Sequence, residues 1–378
     1  MPRAGRSPAR ATVPAAVLLG PPPVASTTTW TPGAILPVGF YDSGTPNVGP
    51  RIPEASMTVV NGDHVPVAGQ VYVGLKILGR IIPGPGSTGA EYVDCIAEGR
   101  AWGQGPTWVS GTPVNDAIFN SSYNGRGVTL THCRLDASGN ENVWTDGVRG
   151  NNFTMRYCEV WRTVDGFGGS SGAYYGPTVI ENCRFGNAYY TAWWNTAAGA
   201  PYSTTTFPSS PGDRRCHNDG AQIQGWSGYT IRGCYLGGGR APGITSQDKQ
   251  NHRDYLLPAD QPYIAAVDAA GDFANSGMMI QNNIGAAAAV GALIENNWLT
   301  GGDATINILG ARKTGGTVGN TFGDTLVGVT IRNNRFIDQS TFGASNGFAI
   351  YRGADCQATI TGNVWDSDGT AVPIVNYG

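Results

Sequence analysis

The sequence Gly-Val-Thr-Leu-Thr-His-Cys-Arg-Leu occupies residues 127–135, and two close variants follow it. They are Asn-Phe-Thr-Met-Arg-Tyr-Cys-Glu-Val at residues 152–160 and Pro-Thr-Val-Ile-Glu-Asn-Cys-Arg-Phe at residues 177–185. The cysteines of the three copies, Cys133, Cys158 and Cys183, are 25 residues apart, since 158 − 133 and 183 − 158 are both 25. A fixed repeat of this length is typical of a solenoid, in which each repeat packs on its neighbours.

The same nine-residue frame returns four more times, with Cys or Asn at its seventh position. The later copies are residues 228–236 with Cys234, 291–299 with Asn297, 328–336 with Asn334 and 357–365 with Asn363. Apolar residues stand two apart in each copy, and such alternation is typical of a half-buried strand. We therefore predict an all-β fold, a single-stranded right-handed parallel β-helix with flank loops, whose coils of about 25 residues stack about 4.8 Å apart.

Stacking of the coils explains the seventh position of the frame. Equivalent residues of neighbouring coils lie above one another, so the cysteines should form a column of small apolar thiols. The asparagines should form a ladder of hydrogen-bonded amides at a bend. Because a rung spacing of about 4.8 Å exceeds the Cβ separation of about 3.8 Å in a disulfide, we predict free thiols.

The composition limits the classes of protein to consider. The chain has 378 residues, 56 glycines, a net charge of −3 and only 13% charged residues. This describes a turn-rich protein long enough for one solenoid and an appendage, and it gives no reason to expect nucleic acid as a partner. No stretch approaches 18 consecutive apolar residues, so we predict no membrane span. The odd count of seven cysteines favours assembly in a reducing compartment over a disulfide-stapled secreted fold.

The N-terminal part of the chain differs from the rest. Residues 1–50 are rich in Pro, Ser and Thr and lack the repeat, so we predict an arm or attachment segment there, followed by the β-helix over residues 51–378. The alternative is a signal peptide, with a basic start, an apolar run over residues 11–20 and a small-residue site near Ala25. Pro14 interrupts that apolar run, which favours the arm.

Irregular spacings of the frame locate loop insertions. Cys183 and Cys234 are 51 residues apart, which suggests two coils with an insertion over residues 186–227. Cys234 and Asn297 are 63 residues apart, and this interval holds a second insertion over residues 237–290. Insertions in a solenoid form loops on its flank, where function usually lies.

An Asp-Gly pair recurs at Asp146, Asp165 and Asp219. We predict that the three share one face of successive coils as an acidic column, with carboxylates about 5 Å apart across one coil and about 10 Å across two. These separations bracket those of retaining and inverting glycosidases, and His217 stands beside Asp219, so a catalytic acid/base pair is one hypothesis. No cofactor is required, and a Ca²⁺ site is an open alternative. Because Asp-Gly is also common in tight turns, a purely structural turn is the other interpretation.

Aromatic residues concentrate in the first insertion, as Tyr189, Tyr190, Trp193 and Trp194. Flat rings beside Asn and Thr suit the apolar faces and hydroxyls of sugars, so we predict a substrate-binding surface that also includes Gln222. The other interpretation is that the two tryptophans cover the solenoid flank or a subunit interface.

Other chemistries lack their motifs. The sequence has no glycine-rich phosphate loop, no Cys-x-x-Cys and no His-x-x-x-His, so nucleotide and zinc chemistry have no support. His132 stands inside a repeat beside Cys133, and we expect it to be an exposed neighbour of the column and not a ligand.

The frame Val-Thr-Ile-Arg-Asn-Asn-Arg-Phe at residues 329–336 and its relatives resemble the right-handed parallel β-helix superfamily of pectate lyases, polygalacturonases and phage tailspikes, over roughly residues 55–378. The frames His-Cys-Arg-Leu, Tyr-Cys-Glu-Val and Asn-Cys-Arg-Phe, with His-Asn-Asp-Gly-Ala-Gln-Ile-Gln at residues 217–224, most resemble the β-helix minor tail proteins of actinobacterial phages. The resemblance implies a virion tail protein that recognises a host cell-envelope polysaccharide. It also implies contact with other tail proteins and a homotrimer, as in tailspikes.

Whether the protein is an enzyme stays open at this point. The polygalacturonase motifs Asn-Thr-Asp, Asp-Asp and Gly-His-Gly do not stand in this sequence, and a lyase-like set of Ca²⁺-binding aspartates with a catalytic arginine cannot be placed on it. A tail protein that also cleaves the polysaccharide is one possibility. The alternatives are a secreted, extracellular polysaccharide lyase or glycoside hydrolase, and a purely structural tail component.

Overall fold

The computed structural model of the protein describes most of the repeat frames and the strands that join them. The described residues are 48–99, 117–121, 127–137, 146–163, 165–170, 176–188, 219–224, 228–238, 276–281, 291–301, 304–308, 313–314, 317–318, 328–336, 348–353, 356, 358–366 and 368–377.

Short strands and one 3₁₀ turn, Glu54–Ser56, make up the regular structure of these residues. In chain order the first strands are β1 (Thr58–Val60), β2 (Val71–Val73), β3 (Leu75–Ile77), β4 (Glu91–Val93), β5 (Ile96–Ala97), β6 (Ala117–Asn120), β7 (Val128–Thr131), β8 (Arg134–Asp136), β9 (Asp146–Arg149), β10 (Phe153–Arg156), β11 (Glu159–Thr163), β12 (Phe167–Ser170), β13 (Thr178–Glu181) and β14 (Arg184–Ala188). The later strands are β15 (Asp219–Gln224), β16 (Tyr229–Arg232), β17 (Tyr235–Gly238), β18 (Ser276–Gln281), β19 (Leu293–Glu295), β20 (Trp298–Gly301), β21 (Ala304–Ile308), β22 (Lys313–Thr314), β23 (Thr317–Val318), β24 (Thr330–Arg332), β25 (Arg335–Phe336), β26 (Phe348–Gly353), β27 (Thr359–Thr361), β28 (Val364–Trp365) and β29 (Ile374–Tyr377).

The strands form three long sheets in which every pairing is parallel, and a complete coil of the chain adds one strand to each. Sheet 1 has the order β2-β4-β7-β10-β13-β16-β19-β24-β27. Sheet 2 has the order β1-β3-β5-β8-β11-β14-β17-β20-β25-β28. Sheet 3 has the order β6-β9-β12-β15-β18-β21-β26-β29, and β22 and β23 form a separate antiparallel hairpin. The predicted all-β fold built of stacked parallel strands is confirmed.

The core lies between the three sheets and consists of apolar columns. In sheet 1, Leu130 pairs with Met155 and Met155 pairs with Ile180, and all three side chains are fully buried. In sheet 2, Val160 pairs with Phe185 in the same way. The alternation within each frame therefore reports which residue faces the core.

A tight bend of constant length joins sheet 1 to sheet 2. Two residues connect the strands at each crossing after the first, and the first of the two has a positive φ, which is 51° at His132, 53° at Tyr157 and 55° at Asn333. The equivalent positions of other coils hold Asp94, Asn182, Gly233, Asn296 and Gly362. The left-handed region is most accessible to Gly and Asn, which explains their frequency here. The expectation of an exposed His132 is wrong, because the chain segment that precedes β1 covers this bend and leaves the side chain 7% exposed.

The second residue of each bend forms the predicted column, and the cysteines in it are free thiols. The main-chain N–H of Cys133 donates to Sγ of Cys158, and that of Cys158 donates to Sγ of Cys183, both over 3.4 Å. The six cysteines in the described part of the chain are all buried and unbridged. Free, stacked thiols are therefore confirmed.

At Cys234 the column changes from sulfur to amide. The N–H of Cys234 donates to Oδ1 of Asn297 over 2.9 Å, and the N–H groups of Asn297 and Asn334 donate to Oδ1 of Asn334 and Asn363 over 3.0 Å. Nδ2 of Asn297 donates to the carbonyl oxygen of Ile231 over 3.0 Å. The asparagine ladder is confirmed, and both residue types accept the main-chain N–H of the preceding coil.

Each long spacing of the frame is a single coil. The N–H of Cys183 donates to Sγ of Cys234 over 3.4 Å, so no further coil lies between them, although 51 residues do suggest two. A loop that leaves the solenoid adds residues without adding height, so spacing alone overestimates the coils. Strand β15 lies inside the predicted insertion 186–227, and β18 lies inside 237–290.

All variation in loop length falls on the two sides of sheet 3. Crossings from sheet 2 into sheet 3 range from residues 302–303 to residues 239–275. Crossings from sheet 3 to sheet 1 range from residues 150–152 to residues 309–329, which include the β22–β23 hairpin. Since the bend between sheets 1 and 2 is constant, sheet 3 alone is flanked by insertions along both edges.

The two ends of the solenoid differ. At the C-terminal end the chain folds back on β28, where the N–H of Trp365 donates to the carbonyl of Thr370 over 2.8 Å and Val364 bridges Ala371. At the N-terminal end β1 and β2 are the outermost strands of sheets 2 and 1. Five valines near them are 47% to 63% exposed, namely Val59, Val65, Val67, Val71 and Val73. The N-terminal end is therefore the more apolar of the two.

Candidate functional site

Asp146, Asp165 and Asp219 occupy equivalent positions in three successive coils. Asp146 and Asp219 begin β9 and β15, and Asp165 precedes β12 by two residues. The parallel register aligns the three, because the residues two positions after each aspartate pair with one another across β9, β12 and β15. The acidic column that the sequence predicts therefore lies along the row of positions at which the strands of sheet 3 begin. A catalytic role for it stays a prediction.

Hydrogen bonds run along this column from coil to coil. The N–H of Asp165 donates to Oδ1 of Asp146 over 3.4 Å, and the N–H of Asp219 donates to Oδ1 of Asp165 over 2.9 Å. In the next coil the hydroxyl of Ser276 donates to Oδ1 of Asp219. Gln222 Nε2 donates to Oδ2 of Asp219 over 3.2 Å. Each aspartate thus accepts a donor from the coil that follows it.

Burial and like charge set the ionisation of the column. Asp146, Asp165 and Asp219 are only 3%, 6% and 0% exposed. The Arg149 guanidinium forms an ion pair with Asp146. Burial raises the pKa of Asp165 well above its usual range, and the neighbouring carboxylates of Asp146 and Asp219 raise it further. Asp165 is therefore a carboxyl that retains a proton at pH values where an exposed aspartate is ionised.

The glycines after these aspartates are needed for packing and not for a turn. None of the three has a positive φ. A Cβ on Gly147 would overlap Val160 and lie 2.5 Å from the carbonyl oxygen of Gly166. A Cβ on Gly166 would lie 2.5 Å from the carbonyl oxygen of Gly220. The interpretation of Asp-Gly as a tight turn is therefore wrong for Asp146-Gly147 and Asp219-Gly220, which begin β9 and β15.

The outward row of sheet 3 lies beside the column. The register aligns Arg149, Gly168, Gln222, Met279, Asn307 and Tyr351, one from each successive coil. A Cβ on Gly168 would lie 2.7 Å from Oδ2 of Asp146, so that carboxylate reaches the outward face. Gln222, Asn307 and Tyr351 are partly exposed, although the amide oxygen of Asn307 is itself buried.

Several predicted site residues lie outside the described part of the chain. His217, Tyr189, Tyr190, Trp193 and Trp194 all belong to the insertion 189–218. In the chain this insertion follows β14 and ends next to Asp219, a member of the acidic column. Their roles stay predictions, whereas Gln222 lies within hydrogen-bond distance of Asp219.

The described residues offer no metal centre. Among them, no group of three or more His, Cys, Asp or Glu side chains is arranged to hold a metal ion. In the same residues no helix is long and apolar enough to cross a membrane.

Fold and site together define an all-β solenoid of three parallel sheets. A buried acidic column lies where the strands of sheet 3 begin, and sheet 3 is the sheet with insertions on both sides. No protein-family model, no curated protein and no solved structure matches this chain.

Two residues of the site were missed by sequence reasoning. Ser276 extends the column by one coil, but 57 residues separate it from Asp219 and no Asp-Gly marks it. Arg149 neutralises Asp146 from three positions further along the same strand. The Asp-x-x-Arg spacing is a signal that could have identified Arg149.

Proposed function

We propose that this chain is a right-handed parallel β-helix protein of a phage tail that binds a host cell-envelope polysaccharide along the outward face of sheet 3. The proposal rests on the resemblance of its repeat frames to β-helix tail proteins and on the position of its insertions. Connections between parallel strands of one sheet are almost always right-handed, and we therefore propose a right-handed coil. Homotrimer formation and contact with other tail proteins are parts of the same proposal.

The observation that carries the proposal is the distribution of insertions. A solenoid needs only constant bends to stack, and the bend between sheets 1 and 2 has that property. The long insertions precede and follow strands of sheet 3, and binding residues in solenoids commonly lie in such insertions, so we assign the polymer to this face. A purely structural rod has no need for such an asymmetry.

The chemistry of the outward row favours a carbohydrate. The amide of Gln222 both donates and accepts hydrogen bonds, as sugar hydroxyls do, and Tyr351 in the same row adds a ring and a hydroxyl. Consecutive coils repeat at about 4.8 Å, so the row offers partners at regular intervals along an extended chain.

Binding can be tested with purified cell-wall polysaccharide from an actinobacterial host. We expect co-sedimentation or calorimetry to detect binding, and the double variant Gln222→Ala, Tyr351→Ala to weaken it at least about tenfold, which is about 1.4 kcal/mol. Arg232→Ala is the matched control, because Arg232 is an exposed side chain on sheet 1, which has insertions on one side only. Equal binding by the two variants would contradict the assignment of sheet 3, and no binding by the unmodified protein would contradict the proposal.

A specific observation also favours cleavage. Asp165, with its raised pKa, stands between two carboxyl groups, and such pairs divide the roles of acid and base in polysaccharide cleavage. This second proposal applies equally to a tail protein and to a secreted lyase or hydrolase. We expect release of reducing ends or of unsaturated sugars from the polysaccharide, and loss of this release in Asp219→Ala. If the unmodified protein releases no product, it is a binding protein without this activity.

A further inference from the structure

The chain segment before β1 crosses the bends of the solenoid. We call residues 48–56 the strap. The N–H of Gly49 donates to the carbonyl oxygen of Tyr157 over 2.8 Å. Arg51 donates to Asp94 from its main-chain N–H and from Nε, both over 2.9 Å, and from Nη2 over 2.8 Å. Glu54 pairs with Lys76 over 2.5 Å. The strap therefore begins on the coil of Tyr157 and runs back two coils to that of Asp94.

The strap changes the environment of the bends that it crosses. Asp94 and His132 are buried, whereas the equivalent Asn296 and Asn333 of later coils are exposed. All four share the same left-handed backbone conformation, so the difference comes from the cover and not from the bend. Arg51 supplies the charge and the hydrogen bonds that a buried Asp94 carboxylate requires.

His132 lies under the strap without a complete set of hydrogen bonds. Its ring stacks on that of Tyr157, with centroids 5.0 Å apart and an angle of 9° between the planes. Nδ1 is buried and has no hydrogen-bond partner in the described part of the chain. The charges that act on the ring are one cation, Arg51, and one anion, Asp94, which are paired with each other.

We propose that the strap is an acid-released latch: a proton taken up by the buried His132 adds a second positive charge near Arg51, and the strap then leaves the bends. The latch goes beyond the proposed function, because it needs no polysaccharide and concerns the other side of the solenoid.

The direction of the effect follows from the surroundings of the imidazole. Burial lowers the pKa of His132 below its ordinary value, and the charge of Arg51 lowers it further. The Asp94 carboxylate and a hydrogen bond with the Gly49 main chain act in the opposite direction and are weaker. Glu159 lies beside Gly49, where it pairs with Arg134 over 3.6 Å. A group with a depressed imidazole pKa favours the covered state above the ordinary pKa of about 6.5, and this preference is lost as pH falls below it.

Hydrogen exchange followed by mass spectrometry tests the latch in the full-length protein. We expect the protection factors of the Gly49 and Arg51 amides to fall between pH 8 and pH 5.5, by up to about tenfold, since pH 5.5 lies about one unit below the ordinary imidazole pKa of about 6.5. The amide of Ile294, in sheet 1 away from the strap, serves as the internal reference.

The matched variant is His132→Asn, because Asn occupies the equivalent bend position at Asn182, Asn296 and Asn333 and suits its φ. We expect its strap protection to be independent of pH over this interval. Unchanged protection in the unmodified protein would overturn the proposal, and so would an equal fall in His132→Asn. His132→Gln provides the same comparison if the Asn variant does not fold.

Discussion

The main-chain N–H of Asp219 donates a hydrogen bond of 2.9 Å to Oδ1 of Asp165 in the preceding coil. The carboxyl group of Asp165 accepts a main-chain N–H of a neighbouring coil, as the amide does in the asparagine ladder, where Oδ1 of Asn334 accepts the N–H of Asn297. The difference is that a carboxyl can titrate. A structural rung of the solenoid is thereby also a group whose ionisation is coupled to folding.

Asp165→Asn should make stability less dependent on pH. Because the folded protein raises the pKa of Asp165, it binds more protons than the unfolded chain above the ordinary aspartate pKa of about 3.9. The free energy of unfolding therefore falls as pH rises from that value through the raised pKa, by about 1.4 kcal/mol for each pH unit between the two. Asn keeps the acceptor for the Asp219 N–H and has no proton to lose. Urea midpoints at pH 5, 7 and 9 should show the variant gaining on the unmodified protein as pH rises, and parallel profiles would contradict the buried-proton account.

Asn334→Ala should destabilise the solenoid by about 2 to 4 kcal/mol. The substitution leaves the N–H of Asn297 without its acceptor and the carbonyl of Ile294 without its donor, both in the interior. The control is Asn333→Gly, since Asn333 is exposed and Gly362 occupies the equivalent position in the next coil. Chemical denaturation measures both variants, and a loss in Asn334→Ala no larger than in Asn333→Gly would show that the amide column is dispensable.

Gly147→Ala should cost about 2 kcal/mol or more, because the new methyl group would overlap Val160 and the sheets cannot move apart without disturbing the core. Gly84→Ala is the matched control, with no atom within 4 Å of its added Cβ and no positive φ. Thermal unfolding compares the two. A neutral Gly147→Ala would restore the interpretation of the Asp-Gly pair as a tolerant surface turn.

The cysteine column should be unreactive until the protein unfolds. The thiols of the column are all buried, so a reagent has no access to them, and burial also raises the pKa of Cys133 and Cys183. Because Cys216 lies outside the described residues, the measurement uses Cys216→Ser. Titration with a thiol-specific chromophore should then proceed at the rate of unfolding and be complete in denaturant. Rapid labelling of several thiols under native conditions would contradict a closed column.

The sequence repeat was enough to predict an all-β fold of stacked parallel strands, because in a solenoid the sequence of each coil resembles that of the coil before it. Cys133, Cys158 and Cys183 mark one bend, and alternation in the same frames marks the face of each strand that packs in the core. The spacing between Cys183 and Cys234 gave the wrong number of coils, since an insertion within a coil lengthens the sequence without adding another coil. The strap was also missed, as its contacts join Arg51 to Asp94 without any repeat.

The position of the acidic column could be predicted, because the Asp-Gly pair recurs together with the nine-residue frame. Its surroundings were not predictable, since Ser276 reaches Asp219 only through the stacking of β18 on β15. The ionisation of Asp165 depends on burial and on two carboxylates that the sequence separates by 19 and 54 residues. The contact between these carboxylates depends on how the strands of neighbouring coils align. The repeat pattern shows this alignment only when the bounds of the insertions are known.

The most direct test of the polysaccharide-binding face is a crystal or cryo-electron microscopy structure of the protein with oligosaccharides from the host cell wall. The account predicts sugar density along the outward face of sheet 3, in contact with Gln222 and Tyr351. Sugar bound instead on the outward face of sheet 1, across Arg156 and Arg232, would contradict it.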